Sequence, residues 1–82
     1  MGKFENVLAA ILRGTSDNNL AFADLQYALQ KLGFEVRIKG DHFIYTKQGV
    51  VEIINVQPLG GNAKAYQVKQ VRALILKYKL AR

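Results

Sequence analysis

The stretch FEVRIKGDHFIYTKQGVVEIINV, residues 34 to 56, decides the fold of this chain. Apolar and charged side chains alternate through its first third, and this period of two is the signature of a half-buried strand. Gly40-Asp41 offers a two-residue hairpin turn with glycine first, as a type II′ turn requires. We therefore expect His42 to Thr46 to return antiparallel. Val50 to Val56 is rich in β-branched residues and predicts a third strand of a meander.

The hairpin turn also predicts where the only histidine lies. If the chain turns at Gly40-Asp41, Lys39 lies opposite His42 and Arg37 opposite Ile44, and directly opposed residues share a face of the sheet. The residues predicted to join the core on the other face are Val36, Ile38, Phe43 and Tyr45. His42 is therefore expected to be exposed among cations.

A histidine in this position has a possible chemical role and an ordinary one. Ribonucleolytic transesterification needs a base for the 2′-hydroxyl and an acid for the leaving oxygen, and histidine exchanges protons near neutral pH. The second group could be Lys39, another basic residue or water, and the sequence leaves this open. The alternative is that His42 is a simple surface residue.

Helical periodicity brackets the strands. Apolar residues from Phe4 to Leu12 recur on one helical face, and the run ends at Gly14. A second helix is predicted from about Ala21 to Leu32, and a third from about Lys64 to Leu80. The order helix, helix, three strands, helix predicts an α+β domain whose helices cover one face of an antiparallel sheet.

Length and composition limit the class of protein. The chain has 82 residues, enough for one domain, and contains no cysteine. It shows no apolar run of membrane-spanning length and no secretory signal pattern, so a cytoplasmic location is expected. One histidine and scattered carboxylates give no metal-ligand spacing, so neither a metal nor another cofactor is expected.

The positive charge is concentrated toward the end of the chain. Residues 1 to 52 hold six basic and six acidic side chains, whereas residues 53 to 82 hold six basic side chains and no acid, which gives the net charge of +6. Such a distribution is typical of a face that binds polyanions. A solubilising surface is the alternative.

Two longer stretches resemble a known family. LQYALQKLGFEVRIKGDHFIYTKQGVVEIINVQP at residues 25 to 58, followed by KAYQVKQVRALILKY at residues 64 to 78, is similar to the HicA toxins, in a branch whose hairpin carries G-D-H-F. The similarity covers about residues 21 to 80 of a single HicA-like domain. Residues 1 to 20 add a helix and a loop. It implies a fold like that of double-stranded-RNA-binding domains and metal-independent cleavage of mRNA.

The resemblance also implies roles for particular residues. His42 matches the catalytic histidine of the family's G-S-H motif, with Gly40 as the motif glycine. Lys39, opposite His42 in the predicted hairpin, is expected to support it. Asp41 replaces the commoner serine, where it could orient His42 or repel substrate, and Phe43 replaces a second histidine. The residues expected to contact RNA are Arg37, Lys64, Lys69, Arg72 and Lys79.

Residues at the start of the last helix leave two interpretations open. Tyr66 could stack on a base or pack against Phe34 or Tyr45. Gln67, Lys69 and Gln70 could contact nucleic acid or simply face solvent. The expected function is that of an endoribonuclease toxin whose partners are mRNA and a HicB-like antitoxin, with no membrane and no small-molecule cofactor involved. The alternative is a non-catalytic RNA-binding module of the same fold.

Overall fold

The fold was analysed in a computed structural model, which describes residues 2 to 15 and 17 to 81. Its elements are α1 (Lys3–Arg13), α2 (Phe22–Lys31), β1 (Glu35–Lys39), β2 (His42–Lys47), β3 (Val50–Val56) and α3 (Ala65–Tyr78). This order confirms the predicted α+β succession of two helices, three strands and a helix. No helix in the described part of the chain is long and apolar enough to cross a membrane.

The three strands form an antiparallel sheet in the order β1-β2-β3. Lys39 pairs with His42 and Arg37 with Ile44, so the register predicted for the first hairpin is confirmed. Gly40 has a φ of 63°, which fits the first central position of a type II′ turn and which other L residues rarely adopt. The hairpin is therefore fixed by its own turn.

The core lies between the inner face of the sheet and the helices. Tyr45 and Ile54 are fully buried there, and Phe22 of α2 meets Phe43 of β2 edge to face with ring centroids 5.1 Å apart. α3 packs on β3, while α1 packs against α2 and α3. The opposite face of the sheet carries no helix over Ile53, which is exposed.

The inner face of β1 differs from the prediction. Val36 and Ile38 were expected in the core, but they are 39% and 60% exposed. β1 is the edge strand farthest from β3, where α3 packs. Alternation correctly placed both residues on the face of Tyr45, but it could not show that the helices stop short of this strand.

A largely buried ion pair joins the loop after α1 to α3. The Arg72 guanidinium donates to both carboxylate oxygens of Asp17, at 3.1 and 3.2 Å, and to the carbonyl oxygen of Ile11 at 3.0 Å. The two side chains are only 21% and 10% exposed. Gly14 ends α1 with a φ of 76°, and a Cβ there would lie 3.1 Å from the Arg72 guanidinium. Only glycine fits both demands without strain.

Candidate functional site

The first hairpin presents His42 on the outer face of the sheet. Its side chain is 48% exposed, and Lys39 lies directly opposite it across the hairpin. Arg37 lies on the same face of β1, two residues before Lys39 and about 7 Å from it by strand geometry. The predicted arrangement of an exposed histidine beside two cations is therefore confirmed.

The two ring nitrogens of His42 have different neighbours. Nδ1 lies 3.1 Å from Oδ1 of Asn55, and Nε2 lies 3.6 Å from Oδ1 of Asp41. An amide oxygen can only accept, so with Asn55 in this orientation Nδ1 carries the proton of the neutral ring. Nε2 then keeps a lone pair and can accept a proton.

Asp41 is held in place by a chain of hydrogen bonds. Its Oδ2 accepts from Nε2 of Gln57 at 2.7 Å, and Oε1 of Gln57 accepts from Nζ of Lys64 at 3.4 Å. The bond from Gln57 lowers the pKa of Asp41 below its usual value, with smaller contributions from a backbone hydrogen bond and from the charges of His42 and Lys64. Asp41 is therefore ionised at neutral pH, beside Nε2 of His42.

A shallow cleft of about 210 Å³ opens at His42. Its other walls are Asn55, Gln57, Tyr66 and Gln67. Nε2 of Gln67 donates to the carbonyl oxygen of Asn55 at 3.2 Å, and its Oε1 accepts from the backbone N–H of Gln57 at 3.5 Å. Gln67 thus satisfies backbone groups at the end of β3, the strand at the edge of the sheet.

Two open questions at the start of α3 are settled by this geometry. Tyr66 is 63% exposed at the cleft, so the prediction that it packs against Phe34 or Tyr45 is wrong. Gln67 is buried rather than solvent-facing, because it bonds to the edge of β3. Two residues of the first turn of α3, Tyr66 and Gln67, therefore line the cleft.

The structure separates the cations that were expected to bind RNA. Lys64 is joined to the His42 cleft through Gln57. Lys69 is exposed on α3 and lines a second hollow of about 280 Å³ with the loop that follows α1. Arg72 is held by Asp17. Lys79 caps the far end of α3, about 22 Å from Lys64 at 1.5 Å per residue.

Asn55 and Gln57 were not among the predicted site residues. They complete the contacts around the histidine, one on Nδ1 and one on Asp41. Alternation along β3 places Asn55 on the face of His42, which is the only signal in the sequence. Among residues 2 to 15 and 17 to 81, no three His, Cys, Asp or Glu side chains come together as metal ligands.

No protein-family model, curated protein or solved structure matches this chain.

Proposed function

We propose that this chain is an RNA-cleaving toxin of the HicA type, with His42 as its catalytic residue. The observation that carries the proposal is the state of the imidazole. It is exposed at a cleft, its Nδ1 is engaged by Asn55, and its Nε2 is left as the proton-accepting atom. The motif resemblance around Gly40 and His42 supports the same assignment. The α-β-β-β-α order of the last five elements supports a fold like that of double-stranded-RNA-binding domains.

In the proposed reaction, Nε2 of His42 takes the proton of a ribose 2′-hydroxyl. The 2′-oxygen attacks the adjacent phosphorus, the bond from phosphorus to the 5′-oxygen breaks, and that oxygen leaves with a proton from water or from a neighbouring ammonium group. The products are a 2′,3′-cyclic phosphate and a 5′-hydroxyl. Asp41, 3.6 Å from Nε2, stabilises the positive charge of the imidazolium that forms, while Asn55 on Nδ1 takes the orienting position that a carboxylate has in a catalytic triad.

The two lysines beside the cleft supply positive charge where the phosphate becomes more negative. Lys39 lies opposite His42 on the same face, and Lys64 reaches the cleft from the start of α3. Fixed cations aimed at developing charge are among the larger contributions to catalysis. They also balance Asp41, whose carboxylate would otherwise repel a phosphate.

The test is cleavage of a short, unstructured RNA by the purified chain, in buffer that contains EDTA. Wild type should release fragments that end in a 2′,3′-cyclic phosphate, and His42→Ala should release none. Arg13→Ala, a change of another exposed cation on α1, serves as the matched control and should cleave normally. Wild-type activity in the His42→Ala protein refutes the catalytic assignment, and loss of wild-type activity in EDTA refutes metal independence.

A non-catalytic RNA-binding module is the second candidate, and the position of Asp41 favours it. An ionised carboxylate beside Nε2 repels a phosphate and can keep it away from that atom. RNA binding without cleavage by wild type, together with cleavage by Asp41→Ser, would select this candidate and identify Asp41 as the cause.

Regulation by a HicB-like antitoxin in the cytoplasm is part of the proposal. A basic protein attracts an acidic partner by electrostatic steering, and a stable interface of about 1,200 to 2,000 Å² in total would bury about 600 to 1,000 Å² on this chain, roughly a tenth to a fifth of its 5177 Å² surface and enough to cover the His42 cleft. Co-expression with such a partner should restore growth and protect His42 from chemical modification. A complex that leaves His42 fully reactive and cleavage unimpaired contradicts inhibition by coverage of the site.

A further inference from the structure

We infer that Tyr66 is a base-stacking residue, and that the substrate which it selects is an unpaired nucleotide of single-stranded RNA held over the His42 cleft. Lys69 then contacts a neighbouring phosphate of the same strand. This inference rests on the proposed function for the position of the scissile phosphate at His42, but stacking itself is a separate property of the surface.

Tyr66 differs from the other tyrosines in what covers its ring. Tyr45 is fully buried, Tyr27 lies under the ammonium groups of Lys3 and Lys31 at 4.7 and 5.8 Å, and Tyr78 is bonded to Glu52. Tyr66 is 63% exposed and lines the same cleft as His42. A large aromatic side chain open to solvent beside a proposed reactive group is a suitable platform for a base.

Stacking on Tyr66 requires a base whose own face is free. In an RNA duplex each base is already stacked on its neighbours, and sequence-tolerant contacts to aromatic rings are made by unpaired bases. The cleft is also lined by Asn55, whose Oδ1 lies against His42 and whose side-chain NH₂ group can donate to a ribose or to a base edge. The cleft therefore suits one nucleotide of a single strand, although the fold resembles modules that bind duplexes.

Lys69 gives the strand a direction across α3. It lies three residues after Tyr66, so the two side chains are neighbours on one helical face with Cβ atoms about 5 to 6 Å apart. Lys69 also lines the hollow beside the loop that follows α1. Asp17 lies in that hollow, but its carboxylate is paired with Arg72 and does not repel a phosphate. A strand can thus run from His42 over Tyr66 to Lys69.

The first experiment compares Tyr66→Leu with Tyr66→Phe in binding and cleavage of a 12-nucleotide single-stranded RNA. Tyr66→Leu should weaken binding about tenfold or more, the usual loss for one stacked base. The rate at saturating RNA should stay within about threefold, because the ring does not touch the reacting atoms. Tyr66→Phe keeps the ring and should restore affinity. Tyr27→Leu, on α2 and outside the His42 cleft, is the matched control and should bind as wild type does.

The second experiment uses the same RNA annealed to its complement. The Tyr66→Leu change should have no effect on duplex binding, because no base face is free. Lys69→Gln should reduce the magnitude of the log-log salt slope for the single strand by about 0.7, whereas the control Lys31→Gln on α2 should not change it.

Either of two results overturns the inference. The first is an equal affinity of wild type and Tyr66→Leu for the single strand. The second is a loss of affinity for duplex RNA in Tyr66→Leu as large as its loss for the single strand. Circular dichroism verifies that each variant is folded, as expected for exposed side chains. If wild type binds RNA without cleaving it, the proposed function fails, while a Tyr66-dependent affinity still supports stacking.

Discussion

Replacing Arg72 with methionine should lower the free energy of unfolding of this protein. The change tests whether Arg72 acts in folding or in RNA binding. The change keeps an unbranched side chain but removes the three hydrogen bonds to Asp17 and Ile11. The Asp17 carboxylate, 10% exposed, is then left without its cation. Breaking a buried pair in this way usually costs about 3 to 5 kcal/mol.

The lower end of that range applies here, because the Arg72 side chain is 21% exposed and water screens part of the interaction. We therefore expect a loss of about 3 kcal/mol from a total of about 4 to 12 kcal/mol for a chain of 82 residues. Asp17→Asn keeps one oxygen acceptor for the guanidinium and should cost less, about 1 to 2 kcal/mol. The two changes should not be additive, because they remove the same interaction.

Urea unfolding followed by circular dichroism measures this loss. With a denaturant slope of about 1 kcal/mol per molar, Arg72→Met should lower the midpoint by about 3 M. Arg37→Met, on the exposed edge strand, is the control and should shift it by less than about 0.5 M. An Arg72→Met protein that unfolds at the wild-type midpoint but loses RNA affinity with a reduced salt slope would contradict a folding role. Arg72 would then belong to the RNA surface.

Two further perturbations test the C-terminal end of α3. Hydrogen bonds from Lys77 and then Tyr78 lower the pKa of Glu52 from its usual 4.5 to about 2, so this carboxylate stabilises the fold above pH 4.5 and the stabilisation is lost as the pH falls toward 2. Glu52→Gln should therefore unfold at lower urea than wild type at pH 7, and the two curves should converge between pH 4.5 and pH 2; a gap that widens in acid would contradict this assignment. Lys79 ends α3 with a φ of 53°, which is unfavourable for residues other than glycine, so Lys79→Gly should raise the free energy of unfolding by about 1 kcal/mol. An unchanged or lower urea midpoint for Lys79→Gly would show that the lysine side chain contributes more than the strain removes.

The hairpin that carries His42 could be predicted from sequence because its register depends only on local geometry. A two-residue turn at Gly40-Asp41 forces Lys39 opposite His42, and this pairing was correct. The second hairpin could not be predicted in the same way. Between Tyr45 and Lys47 the register shifts, so that a single residue of β2 faces three of β3 and Asn55 comes opposite Ile44.

The remaining differences all involve partners distant in sequence. The basic C-terminal region gave no sign that the Arg72 guanidinium pairs with Asp17, which lies 55 residues earlier in the loop after α1. Periodicity assigned Gln67 to α3, but it could not show that the side-chain amide of Gln67 donates to the carbonyl oxygen of Asn55 on β3. Local patterns therefore located the histidine, while the contacts that hold Asp41 and Nδ1 depend on how three separate segments meet.

The hydrogen bonds between Arg72 and the N-terminal segment limit how this domain can be shortened. Residues 1 to 20 precede the five elements α2 to α3, and a designer of a minimal version would remove them first. That deletion takes away Asp17 and the Ile11 carbonyl, and it leaves a guanidinium facing a newly opened apolar surface. A minimal domain would have to exchange Arg72 for an apolar side chain in the same step, so α1 is an integral part of this chain's architecture rather than a removable extension.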